Sequence, residues 1–132
     1  SVGLDQNRLS LQLAILHKHS GIATFDQDVF INVVGGIKVS ETASDLVVML
    51  AIVSSLRDKV IPSKWIAFGE VGLTGEVRPV YNSMERLSEA QKQGFELAII
   101  PKGNAPKKPI KGIKVVTVGY LYQAIQYLLD NS

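Results

Sequence analysis

The chain has 132 residues, 46% of them hydrophobic and 20% charged, with a formal net charge of +2 and no cysteine. These values exclude a disulfide framework and a thiolate metal site, and they allow one compact domain over residues 1–132 with a core of its own. The longest apolar run, Leu46 to Val53, is far too short to span a bilayer, and no basic stretch followed by an apolar one opens the chain, so a soluble cytoplasmic protein is expected.

Asp5 is placed to cap a helix reaching about Lys18, with Leu9, Leu13 and Leu16 on one face, although the alternation of Leu9, Leu11, Leu13 and Ile15 leaves a strand open. His17 and His19 would point to different faces of that helix and lack a companion ligand pattern, so they read as helix-end residues. Asp28 to Val34 is β-branched and aromatic and runs into Gly35-Gly36, which predicts a strand and a tight turn. Thr42 to Leu56 is apolar almost all round and holds neither glycine nor proline, as a helix packed on several sides would be. Thr42 and Asp45 have the spacing of a capping box, and Glu41 and Asp45 suit the positive end of the helix dipole.

Beyond Pro62, two strands are predicted over Trp65 to Val71 and Glu76 to Val80, joined hairpin-fashion through Gly72-Leu73-Thr74-Gly75, with Glu70 and Glu76 as turn-flanking charges. Asn82 or Ser83 caps the next helix, which ends near Gln93 with Gly94 in the position after the cap. A strand over Phe95 to Ile100 stops at Pro101, a lysine-rich loop follows, then a strand over Ile113 to Val118 and a closing helix over Leu121 to Leu129. The order predicts an α/β domain in which helices pack on one mixed sheet.

The charge is unevenly spread. Between Arg57 and Lys114 there are eleven lysines and arginines against six carboxylates, and the stretch from Lys102 to Lys114 holds five lysines and no carboxylate. Such a loop can face phosphates, or it can simply be a solvated segment. No GxxxxGK[ST] phosphate loop is present, so nucleotide hydrolysis by these residues is not expected.

Three longer segments are distinctive in combination: Val33 to Leu46, Phe68 to Val80 followed by Glu85-Arg86-Leu87, and the opening Gly3 to Leu9. Together they resemble the Lon-protease-like domain found at the C-terminus of the RadA (Sms) family of bacterial DNA repair proteins. The resemblance implies an α/β fold of the ribosomal protein S5 domain 2-like kind. It also implies that the serine nucleophile of an active Lon peptidase falls on Ala43 and its lysine base on Met84. A methyl group cannot attack a carbonyl and a thioether is no base at neutral pH, so no catalytic residue is expected here. Ser44 with Lys38 is the alternative dyad, but neighbouring helical residues point about 100° apart, which puts Ser44 on another trajectory.

Members of that family are zinc-finger and RecA-like ATPase proteins that assemble as hexameric rings. The resemblance therefore implies that ATP, magnesium and zinc belong to parts outside these residues, and that the longer protein is a DNA-dependent ATPase. It further implies partners: single-stranded or branched DNA bound without sequence preference, other copies of the chain, and the recombinase RecA. Lys102, Lys107 and Lys108 are the first candidates for DNA contact, with Arg57, Arg78, Arg86 and Arg8 as secondary ones. Trp65, Phe68 and Tyr81 are the nearby aromatic residues, of which Trp65 and Phe68 are expected in the core. A peptidase with the shifted dyad and a module for protein contacts alone are the competing readings.

Overall fold

A computed structural model describes residues 14–15 and 42–132. Ala14 and Ile15 are helical, as the first predicted helix requires at those two positions, and Ile15, which is not on the predicted apolar face of that helix, is buried. The rest of that helix and the predicted strand over Asp28 to Val34 lie outside the described residues.

A short 3-10 turn, Thr42–Ser44, leads into helix α1, Asp45–Leu56. Its residues Leu46, Val48, Met49, Leu50, Ile52 and Val53 are all buried, which explains a composition that is apolar around most of its circumference. The N-cap falls on Ser44 rather than on the expected Thr42, without a side-chain cap hydrogen bond, and the buried Asp45 carboxylate accepts from the Val71 N–H at 3.0 Å.

Strand β1, Trp65–Ala67, strand β2, Glu70–Val71, and strand β3, Val77–Arg78, follow, then helix α2, Ser83–Lys92. Strand β4, Leu97–Pro101, strand β5, Lys114–Val118, and helix α3, Leu121–Asn131, complete the chain. The single mixed sheet expected from the pattern is corrected to two sheets among the described residues. One is parallel in the order β1-β4-β5, and the other is the antiparallel pair β2-β3.

The cause is Gly69. Its φ of +153° breaks what the pattern presents as one strand from Trp65 to Val71, and its backbone is taken by the start of α1. The Gly69 N–H donates to the Ala43 carbonyl at 2.9 Å, and its carbonyl accepts from the Leu46 N–H at 3.0 Å. A Cβ at this position would lie 2.9 Å from Val77 Cγ1 and 3.2 Å from Pro101 Cγ, so the close approach needs glycine.

Strand β4 is central in the three-stranded sheet, and all five of its residues are buried. Alternate residues face opposite layers. Leu97 and Ile99 join the core formed with α1 and α3, whereas Ala98 and Ile100 join Phe68, Leu87 and Ala90 on the α2 side. Helix α3 buries Leu121, Ala124, Ile125 and Leu128, an i, i+3, i+4, i+7 stripe. Tyr127 from α3 packs on Trp65 with ring centroids 5.5 Å apart. Gly94 follows the end of α2 with φ +89°, as its position predicts, and the Phe95 N–H returns to the Ala90 carbonyl at 3.0 Å.

Candidate functional site

Parallel neighbours need a crossover of about a dozen residues, usually a helix. Between β4 and β5 the chain uses the lysine-rich segment instead, with only a 3-10 turn at Lys102–Asn104. Because both strands run the same way, this segment must travel back along the sheet from the end of β4 to the start of β5. Ile110 and Ile113 join the α2-side core, which fixes the face on which the segment lies.

Two contacts hold its beginning. The Asn104 carboxamide accepts from the Val80 N–H at 2.8 Å and donates to the Val80 carbonyl at 3.1 Å, a side chain acting as a strand partner. Gly103 lies so close to Pro79 that a Cβ would collide with the proline ring. At the other end the Gln91 side chain donates to the Lys111 carbonyl. The loop is therefore a braced ridge, with Pro106 and Pro109 restricting its backbone further.

A groove runs along each side of that ridge. One, of about 570 Å³, lies between Ser83 and Met84 of α2 and residues 103–110. The other, of about 420 Å³, lies between residues 105–110 and the β5 side, where Lys114, Val115 and Thr117 contribute. Lys107 and Lys108 line both grooves, and no carboxylate lines either. Both lysines are exposed, and among the described residues neither forms an ion pair.

The other predicted cations are placed differently. Lys102 is exposed at the end of β4, with its Cδ beside Gly119. Arg78 is held between two carboxylates, with one guanidinium nitrogen 3.2 Å from Glu70 Oε1 and the other 3.0 Å from Glu76 Oε2. Glu76 is the hub of that hairpin. The Thr74 hydroxyl donates to it at 2.6 Å and the Thr74 N–H at 3.2 Å. The Thr74 hydroxyl bond, backbone hydrogen bonding and Arg78 together hold the Glu76 carboxyl at about 2, against an ordinary 4.5, and the Arg78 guanidinium is raised in turn by Glu76. The carboxylate lies directly over Gly72, where a Cβ would collide with it.

Arg86 donates from Nε to the Tyr81 carbonyl at 3.2 Å, and its guanidinium sits 5.9 Å from the centroid of the Phe68 ring. Arg57 closes α1 at the end away from Ala43 and lines neither groove. Arg8 and Lys38 lie outside the described residues. Phe68 is buried and Trp65 half-buried, as expected, whereas Tyr81 is 91% exposed.

Ala43 and Met84, the positions the Lon resemblance singles out, differ in setting. Ala43 is buried at the start of α1 with its carbonyl bound to Gly69, and Met84 is half-exposed and walls the larger groove, whose lining does not include Ala43. Sequence reasoning missed Met84 as a groove wall and Asn104 as the brace. Neither has a local signal, because each acts on a partner about twenty residues away. Lys114 was part of the recognised lysine run, and its place on the smaller groove follows only from the register of β5.

The family model described as "Subunit ChlI of Mg-chelatase" matches residues 6–104, three-quarters of the chain, including both walls of the larger groove up to Asn104. The chain belongs to the ChlI family. This ChlI-family chain is also 58% identical over 130 residues to the DNA repair protein RadA of Pseudomonas aeruginosa, covering 98% of the chain and 29% of that protein. It is 53% identical over 130 residues to DNA repair protein RadA of Escherichia coli, covering 98% of the chain and 28% of that protein. For DNA repair protein RadA of Bacillus subtilis the values are 42% over 133 residues, 99% and 29%. The ChlI-family chain thus spans less than a third of the length of these curated relatives. Among its described residues, no helix is long and apolar enough to cross a membrane.

Proposed function

We propose that this chain serves as a non-proteolytic, Lon-like domain of a RadA-type DNA repair and recombination protein, where it presents a basic surface to DNA and contributes contacts to a hexameric ring. The observation that carries this reading is the braced ridge bearing Lys107 and Lys108, flanked by two grooves without a carboxylate. Its relatives at this level of identity are named as DNA repair proteins, which supports the same biological setting.

Lysines spaced along an exposed ridge can neutralise successive phosphates and release their counterions, whatever the base sequence. Lys102 and Lys114 extend the ridge, whereas Arg78 and Arg86, already engaged by Glu70, Glu76 and Phe68, contribute less. Ala43 and Met84 supply neither a nucleophile nor a base, so the domain acts by binding. In this reading ATP, magnesium and zinc are handled by other parts of a longer protein, which also provide the DNA-dependent ATPase activity and any contact with the recombinase RecA.

The test is a salt titration of binding to duplex and single-stranded DNA by fluorescence anisotropy, with light scattering on the same samples. Expected is an affinity that falls steeply with salt, is abolished by Lys107→Glu with Lys108→Glu, and accompanies ring-sized particles. Binding that ignores both the salt and the charge reversal would refute the DNA part of the reading, and a monomer at every concentration would refute self-assembly by these residues.

A further inference from the structure

Strand β5 forms one edge of the parallel sheet among the described residues. The Lys114 N–H donates to the Glu96 carbonyl at 2.8 Å, which fixes the alternation of the ladder. Lys114, Val116 and Val118 bond to β4, and the N–H and C=O groups of Val115 and Thr117 point the other way. Just past the strand, the next outward carbonyl, that of Gly119, accepts from the Val77 N–H at 2.9 Å, and the Leu121 N–H donates to the Gly75 carbonyl at 2.8 Å. The β2-β3 hairpin thus pairs with the chain beyond β5 and stops there. Among the described residues no strand continues along Val115 and Thr117.

Natural sheet edges are blunted by proline, bulges or charges. From Val115 to Val118, β5 carries none of these, only β-branched residues suited to pairing in an unbroken register. Beside this edge lies the smaller groove, of about 420 Å³. Val115 and Thr117 stand opposite Ala98 and Ile100 in the register, so their side chains face the α2 layer, where the groove separates them from the ridge that carries Lys107 and Lys108. Lys114 also lines it, and no carboxylate does. Neither Ala43 nor Met84 belongs to this lining, so the groove is separate from the positions that the Lon resemblance singles out.

A polypeptide added to such an edge gains affinity from main-chain hydrogen bonds and specificity from the pockets that receive its alternate side chains. Here those side chains enter a groove walled by lysines, which selects carboxylates. Phosphates would use the lysines and leave the outward main-chain groups idle. A second copy pairing edge to edge would bring the lysines of both copies together, which like-charge repulsion opposes.

We infer that the open edge of β5 is a docking site for an extended acidic peptide, which adds as a strand through Val115 and Thr117 and sets alternate carboxylates against Lys107, Lys108 and Lys114. The inference goes beyond the nucleic-acid reading and does not depend on it.

The experiment follows the anisotropy of a fluorescein-labelled heptapeptide of alternating glutamate and valine titrated with the 132-residue chain. Two further peptides carry N-methyl groups, one at the glutamates and one at the valines, and a third has lysine in place of glutamate. Thr117→Pro removes an outward N–H without touching the ladder to β4, a substitution that edge strands tolerate. Expected is saturable binding of the glutamate peptide, weakened about five-fold or more by Thr117→Pro and by whichever methylation blocks the amides facing β5, as loss of a main-chain hydrogen bond does. Lys107→Glu with Lys108→Glu is expected to weaken it as well, and the lysine peptide not to bind. Should Thr117→Pro fail to fold, the methylated peptides read the same bonds on the unaltered protein. No binding, or equal binding of the unmodified and both methylated peptides, would overturn the strand addition. A dimer that Thr117→Pro disperses and the peptide does not would assign the edge to a second copy instead. DNA binding is read separately by the salt titration, so either reading fails without the other.

Discussion

The Asp45 carboxylate accepts a hydrogen bond from the Val71 N–H at 3.0 Å, joining the first turn of α1 to strand β2 across twenty-six positions of sequence. Asp45 is 1% exposed and is the one charged side chain buried among the described residues. Its position in the first helical turn places the carboxylate at the positive end of the helix dipole, which offsets part of its burial. The same junction carries the paired backbone bonds between Gly69 and Ala43 and between Leu46 and Gly69. Helix start and hairpin start are thereby locked into one unit.

Replacing Asp45 with leucine leaves the Val71 N–H buried without this acceptor. The expected loss is about 1–3 kcal/mol, the cost of an unsatisfied buried donor, read as a lower urea midpoint at constant slope. Asp45→Asn keeps an acceptor oxygen and is expected to lose less. Equal stability of the leucine variant and the parent would remove Asp45 from this role.

Gly69→Ala meets two obstacles at once, a φ of +153° and a Cβ pushed to 2.9 Å from Val77. The expected destabilisation is about 1–3 kcal/mol, in the range of a residue forced into a sparsely populated backbone region. Thermal unfolding monitored by circular dichroism checks it, with Gly112→Ala as a comparison: φ there is also positive, at +83°, but a Cβ would meet nothing within 4 Å.

The hairpin network around Glu76 predicts a pH dependence with a definite sign. The folded-state carboxyl titrates at about 2 and the ordinary one at 4.5, so the unfolded chain binds more protons between those values. The stabilisation is fully present above pH 4.5 and is lost as the pH falls toward 2. A carboxyl-detected NMR titration should place the Glu76 midpoint near the lower value, and Thr74→Val, which deletes the hydroxyl donor at 2.6 Å, should move it upward. A midpoint already ordinary in the parent would contradict the network.

Arg78 and Lys107 should respond differently in DNA binding. Arg78 shares its charge with Glu70 and Glu76, whereas Lys107 pairs with no carboxylate among the described residues. Lys107→Ala is expected to reduce the salt dependence for a single strand by about 0.7 in log–log slope, the share of one phosphate contact, and Arg78→Ala to change it less. Glu70→Gln with Glu76→Gln frees the guanidinium and should tighten binding. A larger effect for Arg78→Ala than for Lys107→Ala would move the interface to the hairpin.

Local pattern was enough for the elements that depend on near neighbours. The span of α1, the stop of α2 at Gly94 and the apolar stripe of α3 follow from burial periodicity and from the backbone freedom of one glycine, both of which are properties of adjacent residues. The lysine run from Lys102 to Lys114 was likewise readable as composition. What only the tertiary structure decided are relations between distant segments. The splitting of the expected strand at Gly69 depends on α1 taking that residue's backbone groups, and the engagement of Arg78 depends on which carboxylates the hairpin brings alongside. The braced ridge arises because two parallel strands require a return crossing and Asn104 finds Val80 on the way. Hydrogen bonds and ion pairs of this kind act over about 3 Å, so they are set by where the packed core carries each residue, and neither periodicity nor composition encodes that position.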